Sequence, residues 1–211
     1  MQILSFESLD STQTYLLKNL KNKTLESPIA IVSDSQTSGL GSRGNSWDSN
    51  EGNLFLSFAL KRNSLPNDLK LESSSIYFAY ILKEILQKLG SKLWLKWPND
   101  FYINDKKVGG VITNISADNL VCGIGLNLNN SKDTFTSLDI QIDREYLLNL
   151  YFNELKKFPI WKQIFSKFEI EFHNNKNFST HIENELVILK NAKLLEDGSL
   201  EVNNKKVFSL R

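Results

Sequence analysis

With 211 residues, 41% of them hydrophobic, and 25 basic against 24 acidic side chains for a net charge of +1, the chain can bury one full core with a small appendage and carries no global field to draw it to nucleic acid. Its single cysteine, Cys122, set among Val121, Gly123 and Ile124, excludes an internal disulfide and a multi-cysteine zinc site and reads as a small buried residue. No basic segment leads into a long apolar run at the start and no apolar stretch of about 18 residues follows, so the expectation is a cytoplasmic protein without a membrane partner, binding through a local site.

In chain order, Ile3 to Phe6 reads as a short strand, and Asp10, Ser11 and Thr12 then offer helix-capping side chains ahead of an apolar stripe of Leu16, Leu17 and Leu20. Hydroxyls and free N–H groups at a helix start also form a polar binding corner, so Ser11 and Thr12 are candidates for ligand contact as well as for capping. Pro28 to Asp34 is rich in β-branched residues, and Asn53 to Leu60 sets Leu54, Leu56 and Phe58 against Phe55, Ser57 and Ala59. Both are strands, the second buried on both faces. Between them runs SQTSGLGSRGNSWDSNEG, with Gly39, Gly41, Gly44 and Gly52 around Arg43 and Trp47. Closely spaced glycines let backbone N–H groups converge on a phosphate or carboxylate, and arginine adds charge and planar hydrogen bonding. The spacing is not that of a Walker loop, and a passage from strand to strand is not a dinucleotide-binding turn. A plain surface loop is the alternative; Trp47 favours a loop that closes on something.

Leu71 to Leu89 is a scaffold helix with Ile76, Ala79, Leu82, Leu86 and Leu89 along one face and Gly90 at its end. Chemistry concentrates in the next stretch, LKWPNDFYINDKKVGGVITNI. A strand through Leu93 and Leu95 is interrupted at Pro98, which has no N–H and holds the preceding residue extended, so the strand ends by presenting Lys96, Trp97, Asn99 and Asp100. Phe101 to Ile103, a turn at Asn104-Asp105 and a return through Lys107, Val108, Val111 and Ile112 make a β-hairpin that brings Lys107 back over the same edge. The Gly109-Gly110 pair marks either a β-bulge or another molecule or backbone lying close. Asn119 to Asn129, NLVCGIGLNLN, is a further strand thinned by Gly123 and Gly125, with Asn127 at its exit. Asn130 to Ile140 is polar and long enough for a mobile lid. Asp143 to Phe158 and Pro159 to His173 are two helices, with Pro159 at the first helical position of the second. His173 and His181 read as surface residues. From Glu185, LVILK, AKLLE, SLEV and KVFSL alternate with turns at Asp197-Gly198 and Asn203-Asn204. This is a β unit too small to stand alone, reached through the connection HNNKNFSTHIEN.

At four places in the same order, the sequence resembles the biotin protein ligases of the biotin–acetyl-CoA-carboxylase ligase type: Asp10-Ser11-Thr12, Gln36 to Trp47, LKWPND with KKVGG, and GIGLNLN at Gly123 to Asn129. KWPND followed by a lysine and then glycine is the specific part, and the resemblance covers essentially the whole chain. It implies an α/β (α+β) fold: over residues 1–178 a catalytic domain like that of class II aminoacyl-tRNA synthetases, a mixed β-sheet with flanking helices, and over 179–211 a small SH3-like β domain. Catalytic-type sequence that starts by residue 3 leaves no N-terminal room for the winged-helix DNA-binding domain some members carry, so no repressor activity is expected.

Carried over residue by residue, the resemblance implies that Ser11, Thr12, Gln13 and Gln36 meet the biotin ureido ring, with the backbone of Gly39, Leu40 and Gly41, while Gly110, Gly123 and Gly125 keep the pocket narrow. It implies Lys107 at the biotin carboxylate and the α-phosphate of ATP, and Ser42 and Arg43 at the nucleotide. Asn99 and Asn127 then serve the adenine and ribose end, Trp47 covers the adenylate, Arg211 reaches the phosphates, and Asp100 stands where the acceptor lysine enters. Lys107, Asp100 and Arg43 are thus the catalytic candidates; no direct protein ligand to a metal is implied, Mg²⁺ arriving with ATP. One departure stands out. Where the family commonly reads GRGRRGR this chain reads GLGSRGN, with Leu40, Ser42 and Asn45 in place of arginines. That implies weaker ATP affinity or poorer retention of the intermediate, with charge balanced elsewhere by Arg211, Lys96 or Lys132.

The implied reaction joins biotin to ATP as biotinyl-5′-AMP and passes the biotinyl group to a lysine of a biotin carboxyl carrier protein, an acetyl-CoA carboxylase subunit. A carboxylate does not acylate an amine at neutral pH, so it first attacks the α-phosphate, and Lys107 with backbone N–H groups offsets the repulsion between two anions. The acceptor lysine, with an unperturbed pKa of about 10.4, must then lose a proton, which Asp100 can orient or accept. Two alternatives remain open on the residues alone: a lipoate or octanoate ligase on the same fold, and a non-catalytic binder of biotin or of a carrier protein. A homodimer also stays open.

Overall fold

The computed structural model describes residues 1–47, 51–129, 135–182 and 185–208, the Arg43 side chain excepted. The chain runs through β1 (Gln2–Leu9), α1 (Thr12–Lys21), β2 (Ile29–Gln36), the short pair β3 (Gly39–Leu40) and β4 (Ser46–Trp47), and β5 (Leu54–Lys61). It continues through α2 (Ser74–Lys88), β6 (Trp94–Lys96), β7 (Asp100–Ile103), β8 (Lys106–Ser116), β9 (Asn119–Leu126), α3 (Arg144–Leu155) and α4 (Trp161–Glu171). Strands β10 (Ser179–Ile182), β11 (Glu185–Ile188), β12 (Lys193–Leu194), β13 (Leu200–Val202) and β14 (Lys205–Val207) follow. A seven-stranded mixed sheet in the order β1-β2-β5-β9-β8-β7-β6 is the centre, with β1 parallel to β2 and the other neighbours antiparallel.

Alternation along β5 sorts two cores. Leu54, Leu56, Phe58 and Leu60 enter the large core under α2, α3 and α4, each side chain contributing roughly 1.5–3 kcal/mol on burial. Ala59, on the other face, joins Leu16 and Leu20 of α1 with Ile29, Ile31 and Val121 in a smaller core. Strand β9 alternates in step. Leu120, Cys122, Ile124 and Leu126 face the large core, and Val121, Gly123 and Gly125 face the side of α1. The apolar face of α1 covers Val121. Beyond the start of that helix the sheet carries glycines instead of packed side chains, and a cavity takes the place of core.

Several expectations are corrected. Trp97 is not presented at the strand end: it is 1% exposed, and its Nε1 donates to Gly198 O at 2.9 Å. Leu89 lies past the end of α2 and is 38% exposed, because the helix finishes at Lys88 and Gly90 turns the chain with φ 99°. Pro159 is not the first helical residue of α4. Ile160 is the cap, and the N–H groups of Trp161 and Lys162, which have no partner within the helix, donate to the Asp68 carboxylate, each at 3.0 Å. The stretch before Glu185 is more than a connection: Phe172–Asn177 is a 3-10 segment and Ser179–Ile182 pairs with β11. The Gly109-Gly110 pair serves both readings, since the β7–β8 register shifts at Phe101/Tyr102 while a Cβ on Gly109 would collide with the Gly125 carbonyl.

The last strands are docked, not free. Leu189, Ala192, Leu194, Leu200 and Val202 share the large core. The turn at Gly198, φ 82°, is held by three donors from the main body: Trp161 Nε1 to Glu196 O at 2.7 Å, Ser73 Oγ to Asp197 O at 2.5 Å, and Trp97 Nε1. No helix among the described residues is long and apolar enough to cross a membrane.

Candidate active site

The cavity beside α1, about 470 Å³ when the space open to solvent at its mouth is counted, is bounded by the α1 start, the β3–β4 loop, the middle of β5, and the hairpin β7–β8. Ser11 caps α1, its Oγ accepting from Thr14 N at 3.4 Å. Thr12 N and Thr12 Oγ1 both donate to Gln36 Oε1, at 2.8 and 3.2 Å, and Thr12 Oγ1 meets Ser57 Oγ at 2.9 Å. Capping and cavity lining are thus one arrangement: the helix start is fixed against β2 and β5, and its polar groups stay at the wall.

The floor is backbone. A Cβ on Gly123 would lie 2.7 Å from Gln13 Oε1, and one on Gly125 2.7 Å from the Trp47 indole, so each glycine makes room for a side chain folded over it. Two oxygens in the wall, Gln13 Oε1 and Asn99 Oδ1, are buried without a hydrogen-bond partner. The NH₂ end of each amide is engaged, Gln13 Nε2 by Asn114 Oδ1 at 2.9 Å and Asn99 Nδ2 by Val111 O at 2.7 Å. A buried acceptor without a donor costs about 1–3 kcal/mol, and such groups mark sites that a ligand completes.

At the mouth stands an ion pair that the hairpin brings together. Lys107 Nζ is 2.6 Å from Asp100 Oδ1, with the two side chains 25% and 17% exposed. The Lys107 stem passes the cavity wall, its Cε 3.7 Å from where a Cβ on Gly110 would lie, and its ammonium is 5.7 Å from the Trp47 ring centroid. Phe135 bridges to Lys107 and stands edge-on to Trp47 at 6.1 Å, and Thr136 N donates to Lys107 O at 2.9 Å. A cation is therefore held under an aromatic cover, at the junction of an apolar and a polar region. Such a group can neutralise an anion at the point where a bond forms. Burial pushes the Cys122 thiol up and seats it in the large core, away from this chemistry.

Most of the residues singled out from the sequence converge here: Ser11, Thr12, Gln13, Gln36, Leu40, Gly41, Ser42, Trp47, Asn99, Asp100, Lys107, Gly110, Gly123 and Gly125 all line the cavity. Two do not. Gly39 pairs with Trp47 as part of β3, and Asn127 turns its amide into the chain behind β9, donating to Thr136 O at 3.4 Å and accepting from Asn53 Nδ2 at 3.4 Å. The Arg43 side chain, Lys132 and Arg211 lie outside the described residues, as do 130–134 of the expected lid. Sequence reasoning passed over Phe55, Leu56, Ser57, Val111, Ile112 and Ile124 as lining residues. Ser57 had a signal, a hydroxyl in a strand otherwise apolar and buried on both faces. No group of three or more His, Cys, Asp or Glu placed to hold a metal occurs among the described residues.

Known proteins similar to this chain are found by sequence and by structure. A biotin acetyl coenzyme A carboxylase synthetase from Helicobacter pylori, solved with bound biotinylated ATP, is 41% identical, superposes with a TM-score of 0.94, and is matched over 98% of this chain and 99% of its own. A biotin protein ligase from Aquifex aeolicus, in complex with biotin and ATP, is 27% identical with a TM-score of 0.75 over 100% and 96% of the two chains. The bifunctional ligase/repressor BirA of Escherichia coli is 31% identical over 165 residues, 70% of this chain and 50% of that protein. The chain thus spans about half the length, or less, of the curated relatives it first matches. The profile of the biotin/lipoate A/B protein ligase family matches residues 5–129, from β1 through the hairpin to the exit of β9, and the chain belongs to that family.

Proposed function

We propose that this chain activates biotin with ATP to biotinyl-5′-AMP and transfers the biotinyl group to a lysine of a biotin carboxyl carrier protein in the cytoplasm. The observation that carries the reading is the Lys107–Asp100 pair at the mouth of a cavity floored by Gly123 and Gly125, with two buried acceptors in its wall. Relatives solved with biotin and ATP, or with biotinylated ATP, support it.

In the first step a biotin carboxylate oxygen bonds to the α-phosphorus while the bond from that phosphorus to the β-bridging oxygen breaks and pyrophosphate leaves. Lys107 exchanges its Asp100 partner for the incoming anions, so that the two negative groups meet at a fixed cation instead of repelling one another. In the second step the amine nitrogen of the acceptor lysine bonds to the acyl carbon, AMP departs with the bonding pair, and the proton passes toward Asp100, left open by the movement of Lys107. Trp47, lying on Gly125, and Phe135 keep water from the anhydride. Mg²⁺ would arrive with the triphosphate and offset its charge. We place the catalytic unit at 1–178 and the docked β unit at 179–211, and leave self-association to the test of size in solution.

Exchange of labelled pyrophosphate into ATP tests this. The expected result is exchange that depends on biotin; exchange dependent on lipoate instead, or none with either acid, would refute the assignment.

A further inference from the structure

The Gln13 carboxamide is half satisfied. Gln13 is 3% exposed; its Nε2 donates to Asn114 Oδ1 at 2.9 Å, and its Oε1 is buried without a partner against Gly123 on the cavity floor. On the same wall Gln36 Oε1 already receives Thr12 N and Thr12 Oγ1, whereas Gln13 Oε1 has capacity for a ligand donor. Asn114 is an exposed residue on β8, on the face shared with Gly110 and Ile112, and is not part of the cavity lining. Its oxygen nonetheless decides which end of Gln13 points inward. A carboxamide with no outer partner can turn over about its last bond and present NH₂ to the cavity, where it would oppose a ligand N–H.

Resting on the biotin reading above, we propose that Asn114 is a positioning residue for substrate specificity: by taking one Gln13 N–H it holds Gln13 Oε1 toward the floor as the acceptor for a ring N–H of a cyclic urea. Asn114 touches no substrate. It selects a donor on the ring through the orientation it imposes, and the pairing spans β8 and α1.

The test uses the full chain and biotin-dependent pyrophosphate exchange. Asn114→Ala is expected to raise KM for biotin about tenfold, the weight of one misdirected hydrogen bond, with kcat within about twofold. Asn114→Asp, which can only accept, is expected to restore KM. Wild type should reject cyclic carbamate analogues, in which one or the other ureido N–H is replaced by a ring oxygen, and Asn114→Ala should reject the sensitive analogue about tenfold less strongly relative to biotin. An unchanged KM in Asn114→Ala, an Asp variant as poor as the Ala variant, or equal discrimination in the two proteins would overturn the proposal while leaving the ligase reading intact. Absence of biotin-dependent exchange in wild type would remove both.

Discussion

Lys107 is asked to do what no other described side chain of the cavity can, which is to place a positive charge where two anions must meet. Removing it should therefore cost far more than one hydrogen bond. We expect Lys107→Ala to lower biotin-dependent exchange at least about 100-fold, in kcat rather than in KM alone, and exchange at the wild-type rate would reject its role. Asp100→Ala should leave exchange within about tenfold while slowing transfer to a carrier protein about 100-fold, measured from preformed adenylate in a single turnover. At Gly125 an added methyl would stand 2.7 Å from the Trp47 indole, so Gly125→Ala should displace that cover and speed loss of bound adenylate in a chase. The charges and hydroxyls of this site were legible because their spacing is local: a cap before α1, and a hairpin that returns a lysine to an aspartate. Asn114 was not, because its partner is 101 residues away on another element. The place of Asn127 was not legible either. An amide after a strand reads the same whether it faces a cavity or, as here, Thr136 and Asn53.

Among the elements, β5 and β9 followed their patterns because alternation reports burial directly, whereas α2, read as a helix with one apolar face, is buried nearly all round, from Ser74 to Lys83 and at Ile85 and Leu86. The 3-10 segment Phe172–Asn177 and β10 were missed, since a polar run such as HNNKNFST shows no period, and its structure comes from partners elsewhere. Asn175 is buried there because its Oδ1 receives Trp97 N at 2.6 Å and its Nδ2 donates to Leu95 O at 3.3 Å. The packing of α2 on α4 carries a second test. Lys83, on α2, is buried, its ammonium on Glu171 of α4 and 4.3 Å from the Tyr80 ring centroid, and burial pushes its pKa down. Glu171→Ala would leave that ammonium without its carboxylate and should destabilise the fold by about 3 kcal/mol in urea unfolding, whereas Lys83→Met should be near neutral. If the two variants lose equally, the pair is not the source of the effect. In the β3–β4 loop, Ser42→Arg should tighten nucleotide binding and slow adenylate release, restoring a charge the loop lacks; unchanged affinity by calorimetry would show that the loop charge is not limiting.

At the scale of the whole molecule, the final strands and the seven-stranded sheet with its helices share one core, and the turn at Asp197-Gly198 is where they lock. Burial raises the Asp197 carboxyl, but hydrogen bonds from Lys206 and Ser199 outweigh it and leave the pKa below its ordinary value. Asp139, holding Ser91 Oγ at 2.5 Å and Lys92 N at 2.8 Å, is lowered in the same way against its burial. A depressed folded pKa means stability that is present above the unfolded value of about 3.9 and lost as pH falls through the folded one. Asp197→Asn should therefore cost about 1 kcal/mol at pH 7 and progressively less as pH falls below about 3.9, and a cost that does not fall with pH would contradict the linkage. A β unit at the end was readable from its turns. Its grip was not, because Trp97 looked like a site residue until its indole N–H was seen to hold Gly198. The central claim is that one ammonium serves both reactants, and a crystal structure of the chain with biotinyl-5′-AMP tests it most directly. The account predicts Lys107 Nζ within about 3.2 Å of both an oxygen of the former carboxylate and an α-phosphate oxygen, with the ring over Gly123. A complex in which Lys107 stays on Asp100 and the ligand lies elsewhere would contradict it.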